Sequence, residues 1–120
     1  MDTEHRTSTR AAVTYPVRLS SHSMTGEGTV INLSVPGCAI KTDLPVQPGE
    51  YLELLVMAPD QARPLTVGLA KVRWTTNEKV GIEFIRVRRD DQSRIRSLIT
   101  QSLEESTENA ETALPELTAA

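Results

Sequence analysis

Between Val13 and Ile85 the chain never runs far without a residue that breaks regular structure, and this punctuation limits what it can fold into. The stretch "VTYPVRL" sets Val13, Tyr15, Val17 and Leu19 on one side, the alternation of a half-buried strand. Pro16 has no N–H for a ladder, so this strand lies at an edge or turns that position outward. "SSHSMTGEG" is turn-rich, "TVINLS" reads as a second strand, "VPG" breaks it, and "CAIKT" reads as a third. After "LPVQPGE", "YLELLVMA" is a fourth strand, ended by "PDQARP". In "LTVGLAKVRWTT" the residues Leu65, Val67 and Leu69 share a face. The apolar phase slips before Val72 and Trp74, which predicts a bulge at Gly68 or Ala70. "NEK" turns the chain into a sixth strand, "VGIEFI". Six short strands at this spacing specify a mainly β fold, a sandwich or a barrel.

The period then changes. In "DDQSRIRSLITQSLEE" Ile95, Leu98, Ile99 and Leu103 fall on one helical stripe, and Asp90 or Asp91 can cap its start. Glu104 and Glu105 oppose the helix dipole, which predicts a frayed end there. The expected organisation is a flexible arm over 1–12, a folded domain over 13–104 and a disordered acidic tail over 105–120.

Length and composition bound the rest. One hundred and twenty residues suffice for one core, and with aromatics at 3% that core must be aliphatic, as suits a small β domain. No apolar run approaches a membrane span and the N-terminus has no apolar signal region, so a cytoplasmic protein is expected. Cys38 is the only cysteine, which excludes an internal disulfide and argues against a metal centre. The net charge of -3 is unevenly spread: residues 1–96 hold all 13 bases against 11 acids, and residues 97–120 hold five glutamates and no base. Ten of the bases are arginine, whose flat fork of donors fits phosphate and base edges better than a lysine point charge does.

Two short stretches carry the functional signal. "RTSTR" spaces Arg6 and Arg10 four apart in the arm, so both leave one side whether the arm is extended or helical. "NLSVPG" follows about twenty residues later. Asn32 and Ser34 are two apart and share a face on a strand, and Gly37 permits a turn or a close approach. Taken alone, that second stretch is an ordinary turn. Together and in this order the two resemble the signature of PilZ domains, an Arg-x-x-x-Arg pair before the first strand followed by Asp/Asn-x-Ser-x-x-Gly. "KVRW" (71–74) and "VGIEF" (80–84) are similar to the late strands of that family, and the resemblance spans residues 5–103. It implies a six-stranded antiparallel β-barrel with a C-terminal helix across one opening, and a ligand, the bacterial second messenger cyclic di-GMP, with no cofactor. It also implies that Arg6 and Arg10 clamp phosphate and a guanine edge, that Asn32 and Ser34 read guanine from the barrel surface, and that Gly37 shapes the backbone. Arginine suits this ligand, because it satisfies guanine O6 and N7 together and forks onto phosphate.

Other residues are weighed against plainer roles. Arg18 and Trp74 are auxiliary ligand candidates, Arg18 otherwise a surface charge and Trp74 otherwise packing. Arg86, Arg88 and Arg89 read as solvated charge. Cys38 and His22 have no third member for nucleophilic catalysis, and no carboxylates pair for acid–base work, so no enzyme is expected. A single-stranded nucleic-acid binder needs more exposed aromatics than this chain has. What remains is a receptor that acts through an unidentified partner protein or through self-association as a homodimer. The alternative is a ligand-free interaction module in motility or pilus assembly.

Overall fold

A computed structural model describes residues 9–60 and 63–119. Strands β1 (Ala11–Ser20), β2 (Thr25–Leu33), β3 (Gly37–Thr42), β4 (Tyr51–Val56), β5 (Leu65–Thr76) and β6 (Lys79–Val87) precede one helix, α1 (Arg89–Ala119). The strands pair antiparallel in the order β1-β2-β3-β6-β5-β4 and close into a barrel. Closure comes from Val17–Ser20 of β1 pairing with Glu53–Val56 of β4. Pro16 sits one residue before that pairing begins, where the ladder to β4 ends, and its carbonyl accepts the Met57 N–H at 2.8 Å. β1 starts at Ala11, two residues inside the stretch read as an arm.

The pleat fills the barrel with aliphatic side chains. Leu19, Val30, Ile40, Leu54, Leu65 and Val67 are fully buried. Ile95, Leu98 and Ile99 of α1 join the same core, so the helix seals one end of the barrel. Leu103, the last residue of the predicted stripe, is largely exposed, and α1 continues to Ala119, well past the end expected near Glu104.

Where the ladders slip, the face of the following residues changes. The predicted bulge in β5 is present between Val67 and Ala70. Others were not anticipated, among them one in β1 between Ala12 and Tyr15. Ile31 is an extra residue in β2 against β3, and Arg73 is an extra residue in β5 against β6. Val30 and Leu33, three apart, therefore both face the core, and Asn32 is turned outward. Likewise Val72 is buried whereas Trp74, two residues on, is 43% exposed.

The helix is held by a buried arginine. Arg94 lies against Asp60 in a bidentate contact (Nε–Oδ2 3.2 Å, Nη2–Oδ1 2.9 Å). Its remaining N–H groups go to the Arg63 and Pro64 carbonyls and to Asp91 Oδ1. All five guanidinium donors are thus used. The hydrogen bond to Asp60 raises the Arg94 pKa above its already high ordinary value, so its charge persists at any working pH. Asp91 does not lie at the helix boundary as a cap. It is turned inward in the first turn, fully buried, and meets Arg94 and Arg63. Replacing Arg94 with methionine leaves the Asp91 carboxylate buried without its main cation. The expected loss is about 3–5 kcal/mol, measurable as a lowered urea midpoint.

Candidate functional site

A cross-strand row on the outer surface builds the site. Ala12 lies opposite Asn32, Asn32 opposite Ala39, Ala39 opposite Gly81, and Gly81 opposite Trp74. Residues directly opposite in a ladder share a face, and strands lie about 4.8 Å apart, so Asn32 and Trp74 bracket three strand spacings, about 14 Å. Between them the side chains are a methyl and a hydrogen. Gly37, one step further along β3, lies opposite Glu83. The result is a cleft of about 280 Å³ with Gly37 and Ala39 at its floor and the Trp74 ring over Gly81. Asn32, Ser34 and Arg10 stand on one side and Trp74, Arg73 and Glu83 on the other.

The glycines are sterically required. A Cβ on Gly37 would collide with the Ile82 carbonyl, so β3 and β6 could not keep their spacing. A Cβ on Gly81 would enter the Trp74 indole, so the ring lies flat on the backbone of β6 because that residue is glycine. Ser34 is buried, and its Oγ donates to the Gly37 carbonyl at 3.0 Å, closing the turn between β2 and β3. The hydroxyl proton is therefore spent, and only oxygen lone pairs are left for a ligand.

The structure thus brings together Arg10, Asn32, Ser34, Gly37 and Trp74 in one cleft. Arg6 lies outside the described residues. Arg18 does not join them; it faces Glu27 across the β1–β2 ladder, 3.6 Å away and well exposed. Two residues of the cleft escaped the sequence reading, Arg73 and Glu83, which form an ion pair at 3.2 Å with both side chains about half exposed. Nothing local marks them, because their meeting depends on the β5–β6 register. Glu83 is the one carboxylate in the lining, against two arginines. Cys38 backs the cleft, and burial pushes its thiol up to about 12. Among the described residues no cluster of histidine, cysteine and carboxylates could hold a metal ion, and no helix is long and apolar enough to cross a membrane.

Comparison with known proteins places this geometry. The family model for the PilZ domain matches residues 4–101. Among solved structures the chain resembles the Bacillus subtilis inhibitor of motility, MotI/DgrA, at 21% identity and TM-score 0.69, covering 82% of this chain and 50% of that one. It also resembles the PilZ domain of Escherichia coli YcgR, solved with c-di-GMP, at 15% identity and TM-score 0.68, covering 87% and 95%. The third is Klebsiella pneumoniae MrkH, at 18% identity and TM-score 0.66, covering 82% and 48%. The chain thus spans about half the length of the MotI and MrkH structures. A search of curated protein sequences finds no match.

Two measurements check the construction of the cleft. Gly37→Ala forces β3 and β6 apart and is expected to cost about 1–3 kcal/mol in a denaturation series. The Cys38 thiol is expected to react with a disulfide reagent only at the rate of barrel opening, so added urea accelerates the labelling.

Proposed function

The chain belongs to the PilZ domain family, and from that premise we propose that it is a receptor for cyclic di-GMP which passes the signal to a partner protein. The observation that carries this reading is the convergence of Arg10 and of Asn32, Ser34 and Gly37 on one cleft from two separate segments of the chain. YcgR, whose fold this chain shares, was solved with the same ligand.

The chemistry of the rim fits such a ligand. Two phosphates call for cations, and Arg10 stands at the cleft immediately before β1, with Arg6 one arm's step upstream. Guanine offers N–H donors, and the Asn32 carbonyl oxygen and the Ser34 lone pairs can accept them. With the Ser34 proton committed to Gly37, that hydroxyl serves a base N–H and not a phosphate oxygen. The exposed indole of Trp74, laid flat over Gly81, offers a stacking face for a purine. Arg6 and Arg10 then act as a latch that orders over the barrel when the messenger binds, at about 1–2 kcal/mol per residue fixed.

Output to a partner is supported by a shared wall. Pro36, at the tip of the β2–β3 turn, lines the ligand cleft and also a groove of about 660 Å³ formed with Ile99 and Leu103 of α1. Movement of that turn would alter both surfaces. The likeness to an inhibitor of motility equally suits a second reading, in which the barrel serves as an interaction module without a nucleotide.

Titration calorimetry separates the two. The native chain is expected to bind cyclic di-GMP, with the arginine double variant Arg6→Ala/Arg10→Ala losing the heat signal while remaining folded. No binding by a folded native chain would move the function to protein partners. The latch itself is read by hydrogen exchange, since equal protection of residues 1–12 with and without ligand would exclude it.

A further inference from the structure

We propose that Glu83, held in place by Arg73, is the group that selects guanine over adenine in this cleft. The inference rests on the receptor reading above and assigns the base-discriminating residue within it. Glu83 and Gly81 lie two apart on the outer face of β6, about 7 Å along the strand. Gly81 carries the flat indole of Trp74, and Glu83 lies opposite Gly37 of the turn that holds Ser34. A planar base resting on the Gly37 and Ala39 floor or against Trp74 therefore has the Glu83 carboxylate at its edge.

A carboxylate only accepts hydrogen bonds, and its two oxygens offer about four lone-pair positions. Arg73 Nη1 occupies one side through Oε1 at 3.2 Å, which leaves capacity for two further donors. The Watson–Crick edge of guanine presents two adjacent donors, N1–H and N2–H. Adenine presents there an acceptor, N1, beside a donor, N6–H, so its N1 lone pair would face carboxylate oxygen. A mismatch of that kind leaves buried polar groups unpaired, which is how binding sites reject close analogues most strongly. Arg73 is a positioning residue here. It lies across the β5–β6 ladder from Glu83, and its charge offsets the carboxylate that would otherwise repel an anionic ligand.

The plain alternative, a solvated ion pair at the rim, predicts the opposite sign. Removing a negative charge near two phosphates should then tighten binding. The test is calorimetry of the native chain, Glu83→Gln, Arg73→Met and the double variant with cyclic di-GMP and with cyclic di-AMP. Glu83→Gln is expected to weaken cyclic di-GMP at least tenfold and to improve cyclic di-AMP relative to it, since a glutamine amide can both accept from N6–H and donate to N1. Arg73→Met should weaken cyclic di-GMP in the native background and add little to Glu83→Gln, the non-additivity expected when one residue acts through another. Unchanged or tighter cyclic di-GMP binding by Glu83→Gln, with base preference unaltered, overturns this assignment while leaving the receptor reading intact. A folded native chain that binds neither dinucleotide overturns both.

Discussion

Side chains along a strand alternate faces with a period of two, and only an inserted residue can break that parity. Two such insertions shape the outer wall of this barrel. In an unbroken pleat Asn32, two residues after Val30, would face the core, and Trp74 would follow Val72 inward. An amide and an indole would then occupy space that the barrel fills with aliphatic carbon, with their polar atoms unpaired. The bulges instead deliver both groups to the outer face, on one row, with only small residues between them. Bulges cost local pairing, and strands keep them where a side chain must be re-aimed.

That wall needs a closed barrel behind it, and the barrel needs its end sealed. Sealing depends on one guanidinium. Arg94 gathers Asp60, Asp91 and two backbone carbonyls into a single planar fork, so the first turn of α1 is fixed to the chain that leads into β5. A lysine could supply the charge but not the set of directions. With the helix start so fixed, Ile95, Leu98 and Ile99 fall over the barrel opening, and further along Ser102 Oγ donates to the carbonyl of Ala12, the residue opposite Asn32, at 2.9 Å.

Much of this was legible in order of appearance. Strand count, the helix stripe, the bulge near Gly68 and the pairing of the two motifs all rest on local periodicity or on short spaced residues. What stayed hidden rests on register. "KVRW" looks in phase, with Val72 and Trp74 two apart, so nothing in the string shows that an extra residue separates their faces. Arg73 and Glu83 are ten positions apart and meet because β5 pairs with β6 in this register. Ser34 reads in the string only as a contact to guanine, and that its hydroxyl proton closes the turn onto Gly37 shows only in the fold. Asp91 read as a cap because caps are local, whereas its partners Arg63 and Arg94 are set by tertiary packing. The chain end beyond Glu104 was read from composition, while α1 runs to Ala119.

The Gly37–Ala39 floor has a thermodynamic consequence. Those two residues bring little aliphatic side chain, so the apolar carbon a flat solute could cover there belongs mainly to Pro36 and Trp74. The heat-capacity change on binding should accordingly be modest for the size of the solute, apart from what the Trp74 indole contributes. For a solute bound there, directed contacts at the rim would carry more of the free energy than covered apolar area, and salt would weaken those made by the arginines. A site with so bare a base gains little from size or greasiness in its ligand and nearly everything from the pattern around its perimeter.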